Sequence, residues 1–463
     1  MEDMAMKTDI RNRKKHISIT VCILIVGVLS LGLTSCNSKN KKNGSESDET
    51  DAYEIASPVY PDMPSHPEVM LQNGEKDNYE AYNAALQELK DQPEGYTSGY
   101  DEYLRDIVPV IFSDQKGENL VFSPLGLYMM LGMTTEITDG SSRQQILNIV
   151  HLPDLLTMRS HAKSIFQANY MDDGVAKLIL ADSLWLNSKN TYDHTALDIL
   201  AQEYYASSFS GDPASDEYNE ALRKWVSKET DGLLDSFTPS LGFDSDMYLT
   251  LASIVNYNGK WTSAFQKELN KNDTFHAASG DVTCEFMQTD SVYRNYYGDH
   301  FSCVALDTIE NGTMRFILPE EGMTPEELLK DEETLSFLGS NTWEKTEDYA
   351  GIYLTVPKFD ISSDLQLQDK LAELGMTDAF DPAKADFSPL NAKDQQLYIS
   401  SIIQDTRVMI DEEGCKAASL TIEMIGAGEP AYDFYFTVDR PFVFEIVSAT
   451  GLPLFIGIVN DPS

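Results

Sequence analysis

A chain that sets Ser123-Pro124 ahead of Leu125, Leu127, Tyr128, Met129, Met130, Leu131 and Met133 has committed itself to a large core. Serine caps a helix and proline fits its first turn. The residues that follow are apolar on nearly every side, so this helix must be central and buried. A length of 463 residues allows one large domain or about three of roughly 150 residues each. A hydrophobic share of 42% and a charged share of 24% are ordinary for a folded, core-forming protein.

Elsewhere helices mix with long strands. Ser141 and Gln144 fit a capping box at a second helix start. Tyr218, Leu222, Trp225 and Val226 follow helical spacing on a charged segment, with Gly232 ending it or the loop beyond. Leu178 to Leu186, Met314 to Leu318, Ile352 to Phe359 and Leu397 to Ile410 read as strands. So do Phe434 to Val438, Phe442 to Val447 and Leu454 to Val459, the last two joined by a Ser448-Ala449-Thr450-Gly451 turn. Helices come mainly first and strands mainly last, which predicts an α+β fold.

Seventy-five acidic against 34 basic side chains give a net charge of −41. Such a surface repels phosphate backbones and anionic headgroups, which excludes nucleic acid as a partner and a basic patch as a route to the membrane. The N-terminus departs from this. Lys7, Arg11, Arg13, Lys14 and Lys15 precede a largely apolar run from Ile17 to Leu33, and Thr34, Ser35 and Cys36 follow. That order describes a secretory signal peptide over residues 1–35. Leu33-Thr34-Ser35-Cys36 resembles the lipobox of bacterial lipoproteins, whose cysteine is lipidated and becomes the new N-terminus. An uncleaved anchor is the alternative, since seventeen residues approach a spanning length. Either reading puts the acidic body outside the cytoplasm, anchored at the extracytoplasmic face of the cell membrane; a secreted form is the other localisation.

Residues 36–96 are polar and acidic with few large apolar positions, and read as a largely disordered tether in which Tyr79 to Lys90 could form a short helix. Cys284, Cys303 and Cys415 are too widely spaced for a disulfide framework or a zinc site and read as small buried hydrophobes. There is no Gly-x-Ser-x-Gly elbow, no His-Glu-x-x-His and no phosphate-binding loop, and the seven histidines never cluster with ligand spacing. The residues therefore favour a binding or inhibitory protein, not an enzyme, with no cofactor and no metal.

Several segments together resemble one family, the serpins. Asn119-Leu120-Val121-Phe122-Ser123-Pro124-Leu125 is similar to the approach to that family's central helix; Trp225-Val226 with Thr230 and Gly232, and Gly259-Lys260-Trp261 with Phe265, match two further patterns. Val356-Pro357-Lys358-Phe359, Leu374-Gly375-Met376 leading to Ala379-Phe380, Ala385-Asp386-Phe387-Ser388, Asp411-Glu412-Glu413-Gly414 with Ala417-Ala418, Asp439-Arg440-Pro441-Phe442 and Leu454-Phe455-Ile456-Gly457 follow in order. The resemblance covers residues 97–463. It implies several helices around three β-sheets and an exposed reactive loop at about 412–438. Inhibitory serpins present this loop to a protease, and after cleavage the acyl-enzyme is trapped while the loop inserts as a new strand in the largest sheet. The native fold is then kinetically stable.

The loop residues fit insertion. The hinge runs through Glu412, Glu413, Gly414, Cys415, Ala417, Ala418, Ser419 and Thr421. Alternate residues Cys415, Ala417, Ser419 and Thr421 are small and uncharged, whereas Lys416, Ala418, Leu420 and Ile422 form the other face. The resemblance implies a reactive bond at Gly428-Glu429, the family's usual spacing forward from Glu412; Met424, Ile425, Pro430 and Ala431 are alternatives. Small residues and no Arg or Lys near the cut favour an elastase-like or subtilisin-like serine protease, with a cysteine protease as an alternative partner. By resemblance, Lys358 pairs with Glu412 as an exposed ion pair contributing about 0–1 kcal/mol. Trp261 sits where the loop inserts or is a buried structural tryptophan. Ser123, Gly126, Ser253 and Gln404 form the polar cluster beneath the opening sheet. The expectation is a monomeric, lipid-anchored protease inhibitor, used once, that meets the membrane only through Cys36; a non-inhibitory cell-surface binding protein is the alternative.

Overall fold

The computed structural model describes residues 21–28, 50–74, 76, 78–113, 117–245, 247–292, 294–309, 312–340, 351–390, 397–399, 401–415 and 434–463. Among these, the strands form three sheets. The main sheet runs in the order β14 (Phe359–Gln366), β15 (Ser401–Ile410), β1 (Val21–Val28), β7 (Leu249–Lys260), β5 (Lys177–Asn187), β6 (Ala206–Gly211), β2 (Glu54–Ala56). Two short strands join it, β4 (Met171–Asp172) on β5 and β16 (Gly414–Cys415) on β7. A second sheet runs β10 (Arg294–Tyr297), β11 (Phe301–Thr308), β12 (Gly312–Pro319), β18 (Phe442–Val447), β19 (Pro453–Val459), β3 (Leu120–Phe122). The third runs β17 (Phe434–Thr437), β13 (Ile352–Pro357), β9 (Gly280–Val292), β8 (Lys271–Ala277). The helices are α1 (Pro67–Gln72), α2 (Tyr79–Lys90), α3 (Tyr100–Ile111), α4 (Pro124–Ile137), α5 (Gly140–Ile149), α6 (Leu155–Asn169), α7 (His194–Glu203), α8 (Asp216–Glu229), α9 (Pro325–Leu328), α10 (Glu332–Leu338) and α11 (Gln368–Glu373).

The all-round apolar helix is α4, and every one of its residues is buried. It lies between the main sheet and the second sheet, touching β7 and β19. Ser123 caps it by accepting the Gly126 N–H at 3.2 Å, and its hydroxyl donates to the Leu454 carbonyl at 2.8 Å, tying the helix start to β19. On the opposite face of the main sheet α8 buries Tyr218, Ala221, Leu222, Trp225 and Val226 against Ile179, Ala181, Trp185, Ala252 and Ile254. The sheet is thus dry on both sides around β5 and β7.

The structure departs from the sequence reading in several places. The capping box at Ser141 and Gln144 is not formed: the N-cap of α5 is Asp139, two residues earlier, and makes no side-chain cap. Ile352 to Phe359 is two strands, because Pro357 lacks an N–H and ends β13. Lys358 still donates to Glu285 at 2.9 Å, and from Phe359 the chain pairs with β15 in the main sheet. Of the Leu397 to Ile410 run, only Ser401–Ile410 is strand. In the segment read as a largely disordered tether, α2 is the short helix read at Tyr79 to Lys90, but β2 and α1 form as well and the segment packs on the body. Tyr82 and Leu86 are buried, and the Tyr82 hydroxyl donates to Asp173 at 2.5 Å. No described helix is long and apolar enough to cross a membrane. Val21–Val28, from the segment read as signal peptide, lies as a strand parallel to both β7 and β15.

In the second sheet Arg315 on β12 stands directly opposite Glu445 on β18, joined at 2.8 Å with both side chains almost wholly buried. Removing one partner strands the other charge in a dry core. Arg315→Met alone is expected to cost about 3–5 kcal/mol, while Arg315→Met with Glu445→Leu recovers most of it; denaturant midpoints of the two variants test this.

Candidate functional site at the loop hinge and the main-sheet seam

β15 ends at Ile410 and the chain reverses tightly, with Asp411 and Gly414 bridged to one another. The turn is held from three sides. Trp261 donates its indole N–H to the Asp411 carbonyl at 2.9 Å and its main-chain N–H to Glu413 at 3.2 Å. Phe265 donates its N–H to the Glu412 carbonyl at 2.8 Å, and the Glu413 N–H donates to the Asp411 carboxylate at 2.9 Å. Trp261 is therefore both buried and placed at the hinge, which joins the two readings of it.

Gly414 and Cys415 then pair antiparallel with Lys260 and Gly259 at the end of β7. Gly414 has φ +140°, and a Cβ there would lie 2.5 Å from the Gly259 carbonyl, so this approach requires glycine. Along the same edge, β1 pairs residues 23–28 with Ala252 to Tyr257. The hinge and β1 thus lie end to end in one seam, between β7 and β15.

Lys358 bridges Glu412 at 2.5 Å and Glu285 at 2.8 Å. The Glu412 side chain is 12% exposed and also accepts from Asn270, so the pair is not the exposed one the sequence suggested. Burial opposes ionisation of Glu412, but Lys358, its own backbone and Asn270 hold the carboxyl below its usual range. Lys358, partly desolvated yet flanked by Glu285 and Glu412, is held above its own. This cross-link ties the hinge to the point where the chain passes from β13 to β14.

Beneath the sheet, the polar cluster comes together as the sequence suggested. Gln404 accepts from the Ser123 N–H at 2.9 Å and donates to the Ser123 carbonyl at 3.0 Å, both fully buried. Ser253 donates to the Gly126 carbonyl at 3.4 Å. Sequence reasoning missed one member of this row. Asp182 on β5 stands directly across from Ser253 and is 1% exposed. Its signal was an acidic residue in the middle of the apolar run Leu178 to Leu186.

Cys36, Ala417, Ala418, Ser419, Thr421, Met424, Ile425, Gly428, Glu429, Pro430 and Ala431 lie outside the described residues, and Cys415 is described by its main chain. The chain returns at Phe434 in β17, parallel to β13, so the two ends of the loop belong to different sheets. Cys284 and Cys303 are buried and free. Among the described residues no group of His, Cys, Asp and Glu is arranged to hold a metal.

Comparison with known proteins agrees with this geometry. The family model described as Serpin (serine protease inhibitor) matches residues 105–462. Glia-derived nexin of Mus musculus is 29% identical over 366 residues, covering 76% of this chain and 90% of its own length. Serpin-Z10 of Arabidopsis thaliana is 28% identical, covering 76% and 94%. The native-state crystal structure of tengpin, a thermophilic serpin, superposes with a TM-score of 0.70 at 24% identity over 80% of this chain and 95% of its own. The complex of thyroxine-binding globulin with thyroxine does so at 0.66 and 18% identity, over 79% and 99%. Members of this family are in general protease inhibitors whose partners are serine proteases. The chain belongs to the serpin family.

Proposed function

We propose that this serpin is a single-use inhibitor of serine proteases, anchored by a lipid on Cys36 at the extracytoplasmic face of the cell membrane. The serine hydroxyl of the protease attacks the Gly428 carbonyl, the amine of Glu429 leaves with a proton, and an acyl ester joins the two proteins. Insertion of the freed loop then carries the protease away before water completes the reaction. The observation that carries this reading is the hinge pairing of Gly414 and Cys415 with β7. Continued along β7, that register would set Ala417, Ser419 and Thr421 opposite Tyr257, Val255 and Ser253, on the face toward α4. It would set Ala418, Leu420 and Ile422 opposite Asn256, Ile254 and Ala252, on the face toward α8. Small uncharged residues thereby meet the closely packed core.

The seam that the loop needs is the one β1 fills. Cleavage before Cys36 would remove residues 1–35 and β1 with them. The filled seam also favours a second reading, a non-inhibitory binding protein whose sheet is already complete, and the same assays separate the two.

The chain beginning at residue 37 is expected to give a denaturant-resistant covalent complex with elastase-like or subtilisin-like proteases on gels, with mass spectrometry locating the cut at Gly428-Glu429. Clean loop cleavage without complex across a broad panel would sink the inhibitor reading. A chain that retains residues 1–35, made with Cys36→Ala, is expected to partition toward cleaved substrate and to trap protease more slowly; equal rates would mean that β1 does not guard the seam. Ala417→Arg, which would drive a charge against Tyr257, is expected to convert the protein into a substrate with little change in cleavage rate, read from the ratio of complex to cleaved product.

A further inference from the structure

The main sheet contains a carboxyl group that its architecture does not require. Asp182 lies in mid-strand on β5, and both carboxylate oxygens are buried without a hydrogen-bond partner. Burying an unpaired carboxyl is unfavourable, and burying it ionised is far more so. Its surroundings offer little relief, the Ser253 hydroxyl opposing the effect of burial only in part. Across β7 stands Ser253, whose hydroxyl is aimed at the Gly126 carbonyl of α4; across β6 stands Ala206. From the docked N-terminal segment comes Tyr60, stacked on Phe166 and Tyr170 of the α6 end and close enough to feel the Asp182 charge. Burial first, then Glu229, Asp182, Tyr170 and Glu54, keep the Tyr60 hydroxyl protonated. The groups facing Asp182 are thus neutral or acidic.

Its position gives the group a role. Residue 24 of β1 is aligned with Ser253 on one side and Gln404 on the other, so Asp182, Ser253 and Gln404 lie in one row across the seam. Parting β7 from β15 opens that row to water.

We propose that Asp182 is a proton-controlled brake on the opening of the main sheet: while it holds its proton the row stays dry and closed, and loss of the proton favours hydration of the row and admission of the loop. This rests on the loop-insertion reading above. The direction follows from linkage. Burial pushes the Asp182 carboxyl up to about 7, Ser253 opposing only in part, whereas a hydrated aspartate titrates near 4. Between those values the opened state releases the proton that the closed state keeps, so opening becomes easier by up to about tenfold per pH unit and levels off above about 7. A second buried carboxyl, Asp405 on β15, is also pushed up to about 7, by burial and then by Asp364 across the strand pair. It alternates with Gln404 and so faces the α8 side, which makes it the control.

The test needs no protease. Uptake of a synthetic peptide of sequence 415–428 by the chain beginning at residue 37 is followed between pH 5 and 8 through the gain in thermal stability on insertion. Wild type is expected to accelerate several-fold per pH unit up to about 7 and then level. Asp182→Asn, which keeps the shape and cannot ionise, is expected to stay at the slow acid rate at every pH, and its unfolding midpoint to decline less than that of wild type over the same range, Asp405 and Glu445, also pushed up to about 7, keeping their share. Asp405→Asn is expected to keep the wild-type profile. Uptake that is alike in wild type and Asp182→Asn, or a profile abolished by Asp405→Asn instead, overturns the brake alone. Uptake absent at every pH overturns the insertion reading and the brake with it.

Discussion

The constraint on which this molecule turns is the pairing of backbone groups along the facing edges of β7 and β15. Both edges are buried between α4 on one face and α8 on the other, so water cannot satisfy their N–H and C=O groups. Either the two strands close on each other or a third strand lies between them. Val21–Val28 does the latter, bonding to both neighbours in parallel register. Its run of valine and isoleucine suits a strand covered on both faces. A loop strand continuing from Cys415 would be antiparallel to both, a pairing slightly more stable per residue. It would also be covalently continuous with β15, which removes the entropy cost of bringing in a separate segment.

The rest of the structure prepares that exchange without completing it. α4 supplies a rigid floor, pinned at its start by Ser123 to β19 and by Gln404 to β15. Trp261, Phe265 and the Lys358 cross-link hold the hinge turn, and Gly414 permits the close backbone approach that lays down the first rung. The anchored end of the loop is therefore ordered on the main sheet. The other end belongs to β17 of a different sheet.

Much of this was legible in the sequence where one residue type meets one physical need. Ser123-Pro124 and the all-round apolar run gave α4; the spacing of Tyr218, Leu222, Trp225 and Val226 gave the buried stripe of α8; Ser448 to Gly451 gave the final hairpin turn. Ser123, Ser253, Gln404, Trp261, Lys358 and Glu412 were found through resemblance, and they fall into two groups, the first three beneath the sheet and the last three at the hinge. The rest depended on partners distant in sequence. A polar, acidic composition pointed to disorder before residue 97, yet a few aromatic residues suffice to dock the segment once α6 and β5 supply a surface for Tyr60 and Tyr82. Local pattern could not show that Pro357 moves the chain between sheets, because that depends on β9 and β15 lying on either side of it. Asp182 was invisible for the same reason, since an acid in a strand reads as solvent-facing until both faces are known to be covered.

The docked segment changes how the proposed anchor acts on the body. With Cys36 as the lipid site, only residues 37–49 would separate it from the next described residue, Thr50, a span of at most about 50 Å. Beyond Thr50 the chain is strapped along the sheet that loop insertion would open. β2 extends the sheet beside β6, Tyr60 stacks on Phe166 and Tyr170 close enough to feel the Asp182 charge, and Tyr82 bonds Asp173 at the β4–β5 turn. Glu68 and Glu413 both act on Lys260, at the end of β7 where the hinge pairs. The segment that would connect the body to the membrane therefore touches the moving sheet at its edge, its floor and its mouth. Its undocking would loosen β5 against α6, so the residues that would hold the protein near the membrane would also help set how readily the sheet admits the loop.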